Sequence, residues 1–360
     1  MSLKSVLITI GILLFGLLVF LPFVIGRRLA SPTAPAQNGV GVYKSVDGGV
    51  TWVLKSQVDE RGVVFPSTVL SFVFHPKENN MVFLGTKGAG LWVSQNGGES
   101  WARAIDIKGT LKISAEVYDI AINRLRPDEM YLAVFQENLG RVLKSLDGGK
   151  NFEEVYKVSA NRFGVFGVEV DAASSRVYIA TGQGGFLESS DGGKSWRVQK
   201  WFPDGIIRLI GDPSDGANYF ALTSHGEMFR THDRGVSWVR LSEGYRKYPK
   251  ADKITDFSID KLQPSIIYAA SQYGLLRSEN AGNVWNPVDI IVPPQASGVG
   301  AIEVSPKDSR ELFAGVGSQI YKSNDFGEHW RIINLPTANR VNIIRAHPED
   351  QGVIYAVVGK

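Results

Sequence analysis

One eight-residue pattern recurs seven times along the chain: Ser or Thr, any residue, Asp or Asn, any residue, Gly, two further residues, then Trp or Phe. The copies begin at Ser45, Ser94, Ser145, Ser189, Thr231, Ser278 and Ser323 and end at Trp52, Trp101, Phe152, Trp196, Trp238, Trp285 and Trp330. Their third positions are Asp47, Asn96, Asp147, Asp191, Asp233, Asn280 and Asp325, separated by 49, 51, 44, 42, 47 and 45 residues. From average residue usage, a chain of this length should hold about 0.02 such matches by chance. Seven at near-even spacing therefore dictate a repeat architecture.

The rest of each period repeats as well. Upstream of each motif lies a strand-like run ending in a turn, usually with proline, as at Phe74-His75-Pro76, Arg126-Pro127 and His347-Pro348. His75 and His347 hold the same turn position in different repeats and read as turn residues. A second run carries a central aromatic (Phe83, Tyr131, Tyr178, Phe220, Tyr268, Phe313, Tyr355), and a glycine-containing loop leads to a third. The motif turns the chain, and its Trp starts a fourth. Four short strands per period predict an all-β, seven-bladed β-propeller of four-stranded blades. The first motif has no strands one and two before it, and the C-terminus ends on strands one and two. The N- and C-terminal half-blades are therefore expected to pair and close the ring, leaving no open sheet edge.

The motif has a local physical logic. The Asp or Asn side chain accepts hydrogen bonds from N–H groups of its own turn. The fifth-position Gly permits a positive φ. The Trp buries a large ring between sheets, with an indole N–H to satisfy. Six of the eight tryptophans serve this role. On these residues the pattern resembles the Asp-box, or bacterial neuraminidase repeat. The seven Asp and Asn residues stand in separate blades, so they read as structural turn locks, with no metal called for. Neither a cofactor nor a catalytic set is expected.

Val6 to Gly26 is 21 residues without a charge. As a helix it would span about 30 Å, the thickness of a bilayer core. The expectation is an uncleaved anchor over 1–28, a Pro/Ala/Ser-rich tether over 29–38 and the ring over 39–360, held outside the cytoplasm at the cell surface or in the periplasm or lumen. A cleaved signal peptide is the alternative. The net charge of +3 belongs to Lys4, Arg27 and Arg28; beyond them bases and acids balance. A neutral ring argues against nucleic acid as partner. Without cysteine there is no disulfide, no thiolate metal site and no lipidated cysteine.

In a four-stranded antiparallel blade the motifs share one face, the turn face. The opposite face carries the second-to-third strand loops and the connections between blades; we call it the loop face. It is the expected ligand side, with candidates Asp59, Glu60 and Arg61; Trp201 and Phe202; His225 and Glu227; Tyr245, Arg246, Lys247 and Tyr248; and Gln272 and Tyr273. Tyrosines beside basic groups suit a protein partner, and Trp201 suits a sugar or a partner anchor.

The enzyme alternative is a sialidase-like or xyloglucanase-like surface glycoside hydrolase, or a carbohydrate-binding propeller. A sialidase-like site needs converging arginines, for which Arg162, Arg208 and Arg340 stand near the starts of first strands. A glycosidase needs two carboxylates at a defined separation, and nothing in the sequence singles out two. Among propellers with this repeat, the chain resembles the sortilin-type receptors and, by blade number, the photosystem II assembly/stability factors. That resemblance implies a non-catalytic, membrane-tethered platform for protein binding or complex assembly.

Overall fold

The computed structural model describes residues 39–59, 63–66, 68–293 and 295–359. The compact unit that carries the strands is Asn38–Lys360. Its strands form seven four-stranded antiparallel sheets. In chain order, blades one to six cover 69–103, 116–157, 165–201, 206–240, 254–288 and 301–334. The seventh blade is composite. The strands Arg340–Ala346 and Ile354–Gly359 supply its inner half, and Gly41–Ser45 and Val53–Leu54 its outer half. Closure rests on antiparallel pairing of Gly41–Ser45 with Ile354–Gly359, in register from Gly41 opposite Val358 to Ser45 opposite Ile354.

The second strand of each blade is buried on both sides; Val82–Thr86, Ile267–Ser271 and Leu312–Val316 are buried throughout. Both sides are covered because the apolar core is divided into seven layers, one at each interface between neighbouring blades. Tyr43 and Ile354 of blade seven pack with Phe313 and Ile320 of blade six. On its other side, Val42, Tyr355 and Val357 pack with Trp92 and Trp101 of blade one. The remaining five layers follow the same scheme. Since burial of apolar area drives folding at roughly 25 cal/mol per Å², a blade is stable only between two others.

The motif locks the turn from strand three to strand four. In the first copy, Asp47 Oδ1 accepts N–H groups of Val50 and Thr51 at 2.9 Å, and Ser45 Oγ accepts the Gly49 N–H at 2.8 Å. Fourth and fifth positions both have positive φ in all seven copies. At the fourth position φ lies in the left-handed region that other residues tolerate, and Arg234, Ala281 and Phe326 occupy it. The fifth is always glycine. At Gly98, φ is 80° and an added Cβ would stand 3.2 Å from the Tyr355 ring. Of the six motif tryptophans, Trp101 and Trp196 donate their indole N–H to the preceding blade, at Lys55 and Val155. Trp52, Trp238 and Trp330 donate to their own turns. The buried Trp285 N–H has no acceptor among the described residues.

The same turns latch blade to blade. Tyr355 Oη and Lys44 Nζ reach from blade seven to the Gly97 carbonyl of blade one, at 2.9 and 2.8 Å. Tyr131 and Lys144 of blade two do the same to Gly192 of blade three. A second repeated lock closes the turn between strands one and two. Nδ1 of His75 and of His347 each accepts two backbone N–H groups of its turn. Asn123 and Asp260 serve the equivalent turns through a side-chain oxygen.

No helix among the described residues is long and apolar enough to cross a membrane. The expected anchor and tether lie outside the described residues, as does Arg61.

Replacing Gly98 with Ala should lower unfolding stability by about 1–3 kcal/mol, the cost of a strained left-handed residue that also displaces Tyr355. The Ala281→Gly change one position earlier in another copy should cost no more than about 1 kcal/mol. Urea unfolding followed by tryptophan fluorescence measures both; equal losses would refute the distinction between the two positions.

Candidate functional site

The loop face collects part of the predicted set. Tyr248 and Tyr273 meet with ring centroids 5.1 Å apart, and Lys247 Nζ lies 5.0 Å from the Tyr248 centroid. Both tyrosines are half-buried and Lys247 is exposed. Tyr248 is held in place because its hydroxyl donates to the Trp285 carbonyl at 3.1 Å. Arg246 and Arg240 both pair with Glu227, which also accepts the Ser242 hydroxyl at 2.5 Å. The bond from Arg240, then that from Ser242, holds the Glu227 carboxyl down at about 2. His225 stands beside Asp204 at 2.9 Å. Trp201 ends the fourth strand of blade three and is 55% exposed.

Three expectations about position change. Tyr245 is fully buried, edge-on to Trp285, with its hydroxyl bonded to the Gly226 carbonyl at 2.6 Å. Phe202 is 5% exposed and packs on Phe229 and Trp238. Both aromatics pin a connection to the blades beneath it, since each gains more from filling an inter-blade layer than from meeting water. Asp59 is not on the loop face. Its carboxylate accepts the Ser100 hydroxyl of the first-blade turn at 3.2 Å, because the segment after the composite blade runs alongside Trp101.

The bore carries groups that strand periodicity did not reveal. Six of the seven innermost strands have a register shift near their start, at the loop-face end. A bulge re-aims a side chain; the bulged residues include Leu70, Tyr118, Phe166, Ile207, Thr255 and Asn342. Tyr118 and Phe166 meet edge to face at 4.7 Å across two blades. Just inside, side chains of the preceding blade accept backbone N–H groups of three innermost strands. Asp119 takes the Val168 N–H at 3.0 Å, Glu169 the Gly211 N–H at 2.9 Å and Asp256 the Ile302 N–H at 3.1 Å. Arg208 ion-pairs with Asp256, and Arg345 lies 3.5 Å from Glu303.

Burial in the channel wall pushes Asp119 up to about 6. Burial, and then repulsion from Asp119, pushes Glu169 up to about 7. Both residues are half-buried. A raised acid beside a second carboxylate has the electrostatics of a general acid, but here each also caps a strand edge.

Of the arginines considered for a sialidase-like cluster, Arg208 is committed to Asp256. Arg162 lies in the connection after blade two, with its N–H on the Asn138 carbonyl, and Arg340 starts the composite blade. On the turn face, Asp325, Glu328 and His329 lie close enough to share a cation. The Asp325 oxygens already take the Ser323 hydroxyl at 2.7 Å, the His329 N–H at 2.9 Å and the His329 ring at 2.7 Å. That is the turn-lock pattern of the other copies.

A family model described as Photosynthesis system II assembly factor YCF48 matches residues 63–359. Two curated relatives point in different directions. An oligoxyloglucan-reducing end-specific xyloglucanase of Emericella nidulans is 27% identical over 189 residues, covering 47% of this chain and 23% of that protein. The photosystem II assembly lipoprotein Ycf48 of Nostoc sp. is 25% identical over 181 residues, covering 49% of this chain and 50% of that protein. The chain thus spans half or less of the length of these relatives. Among solved structures, the GH74 xyloglucanase from Xanthomonas campestris aligns with a TM-score of 0.67 at 18% identity, covering 82% of this chain and 51% of that one. YCF48 bound to D1 peptide aligns with a TM-score of 0.62 at 15% identity, covering 82% and 94%. At these identities the structures share the fold.

The raised carboxylates set a pH dependence. Their folded pKa values exceed the unfolded ones, near 4, so between about pH 4 and 7 these two groups hold more protons in the native ring than in the unfolded chain. Their own contribution to stability therefore falls as pH rises through that window. The Asp119→Asn/Glu169→Gln double variant keeps an acceptor oxygen at each site and removes the titration. Its stability should fall less than that of the unmodified chain, by about 1 kcal/mol after allowing for solvent in the bore. Urea midpoints across the window decide it; parallel curves would refute the assignment.

Proposed function

Because the chain belongs to the family described as Photosynthesis system II assembly factor YCF48, we propose that it is a membrane-tethered, extracytoplasmic assembly platform that binds a partner protein on its loop face. The observation that carries this reading is the cluster of Lys247, Tyr248 and Tyr273. It joins two aromatic rings and a cation at the surface, on a connection pinned by Tyr245. Such a site suits a peptide segment with acidic or aromatic side chains. A relative bound to a D1 peptide supports a protein ligand. A relative named a lipoprotein supports tethering at a membrane. This chain lacks the cysteine that a lipid anchor of that kind requires, so the apolar segment Val6–Gly26 takes that role.

The second reading is a glycan-acting propeller, favoured by the xyloglucanase relatives and by the neighbouring Asp119 and Glu169 carboxylates. Against it, both carboxylates serve the ring itself as acceptors for backbone N–H groups. One pair of assays separates the readings. Titration with a labelled D1 peptide should give saturable binding, weakened at least about tenfold by Lys247→Ala/Tyr273→Ala. A hydrolysis screen over xyloglucan oligosaccharides should give no turnover. Turnover abolished by Glu169→Gln, with no peptide binding, would overturn the platform.

A further inference from the structure

Gly41, where the first strand of the ring begins, lies at the loop-face end of the composite blade. That strand is third in its blade and runs toward the turn face, ending at the first motif. Thirty-eight residues precede the described chain, including the uncharged Val6–Gly26, and the described chain enters the ring at its loop face. The tether over 29–38 reaches at most about 35 Å when fully extended.

The loop face also differs in charge from a ring that is neutral as a whole. Arg162, Lys200, Lys247, Lys250 and Lys253 are exposed there, and none has an ion-pair partner among the described residues. Lys87 and Lys108 are likewise exposed there and without an ion pair. Of its acids, Glu227 is taken by Arg240 and Arg246, and Glu137 by Arg141. Asp106, Glu116, Glu243, Asp252 and Asp289 have no ion pair among the described residues, and Asp204 has only His225 beside it. Among these cations stand exposed apolar side chains: Ile113, Phe163, Trp201 and Ile207, at 63%, 40%, 55% and 44% exposure. Unpaired lysines interleaved with aromatic and branched apolar groups make up the composition that seats at the headgroup level of a bilayer.

We infer that the loop face is the membrane-proximal side of the ring and docks on anionic lipid headgroups. The inference rests on the tethering reading and adds an orientation to it: the seven turns face away from the bilayer, and the Tyr248–Tyr273 cluster meets partner segments close to the membrane surface.

The chain has no native cysteine, so single labels are clean. The full chain is labelled at Gln272→Cys on the loop face or Glu328→Cys on the turn face. It is reconstituted in nanodiscs of phosphatidylcholine alone or with phosphatidylglycerol, using a headgroup-linked quencher. The loop-face label should be quenched, more strongly in the anionic discs, and the turn-face label should not. Lys247→Glu/Lys250→Glu/Lys253→Glu should return quenching to the neutral-disc level. The same triple variant should weaken sedimentation with phosphatidylglycerol vesicles on the order of a hundred-fold, given roughly fivefold per lysine. Equal quenching at both labels, or charge reversal without effect, overturns the inference. So does a triple variant that loses D1-peptide binding while lipid quenching is unchanged, since the cations would then serve a protein ligand. If the chain does not travel with the discs, the tether is wrong. Vesicle sedimentation then decides the docking face by itself: charge-dependent binding upholds it and no binding overturns it.

Discussion

Every layer of this ring depends on a neighbour, and the five-residue pairing between Gly41–Ser45 and Ile354–Gly359 supplies the last neighbour. The apolar side chains of a blade are shared with the blades before and after it. An open array of six and a half blades would leave two layers half covered and two strand edges unpaired. Closure also places Lys44 and Lys55 against Glu99 of blade one, at 2.9 and 2.5 Å, and Tyr355 against the Gly97 carbonyl. The seam is sealed by the latch that joins blade two to blade three, so its chemistry is that of an ordinary blade interface.

The ring architecture was legible because its signal is local and repeated. A Ser, an Asp and a Gly at fixed offsets define one turn, and their phase relative to the chain ends shows which half-blade completes which. The matching position of His75 and His347 likewise marked a turn, and both rings serve as acceptors there. The fourth position of the motif was not legible. Its left-handed conformation admits Arg, Ala and Phe, so residue identity leaves no trace of the backbone.

The candidate site was only partly legible, for tertiary reasons. In the connection after blade four, Tyr245 and Tyr248 lie three residues apart with similar polar neighbours. One fills an inter-blade layer and the other reaches the surface. The difference lies in Trp285, about 40 residues further on, against which both are placed. Asp119 and Glu169 sit in apolar innermost strands, and their role depends on N–H groups of the next blade that no local pattern announces.

The closing seam also carries a hazard of synthesis. Its two strands are separated by more than 300 residues, so the first outer half-blade is made early and waits unpaired until Ile354–Gly359 emerges. During that interval it is a free sheet edge with a half-covered apolar face. The late half-blade of any other unfinished copy matches it as well as its own does. Two chains held close together can therefore trade half-blades and form an interlocked pair, each ring completed by the other's end. Restricting that exchange is a matter of keeping newly made chains apart, or of making the final strands follow quickly.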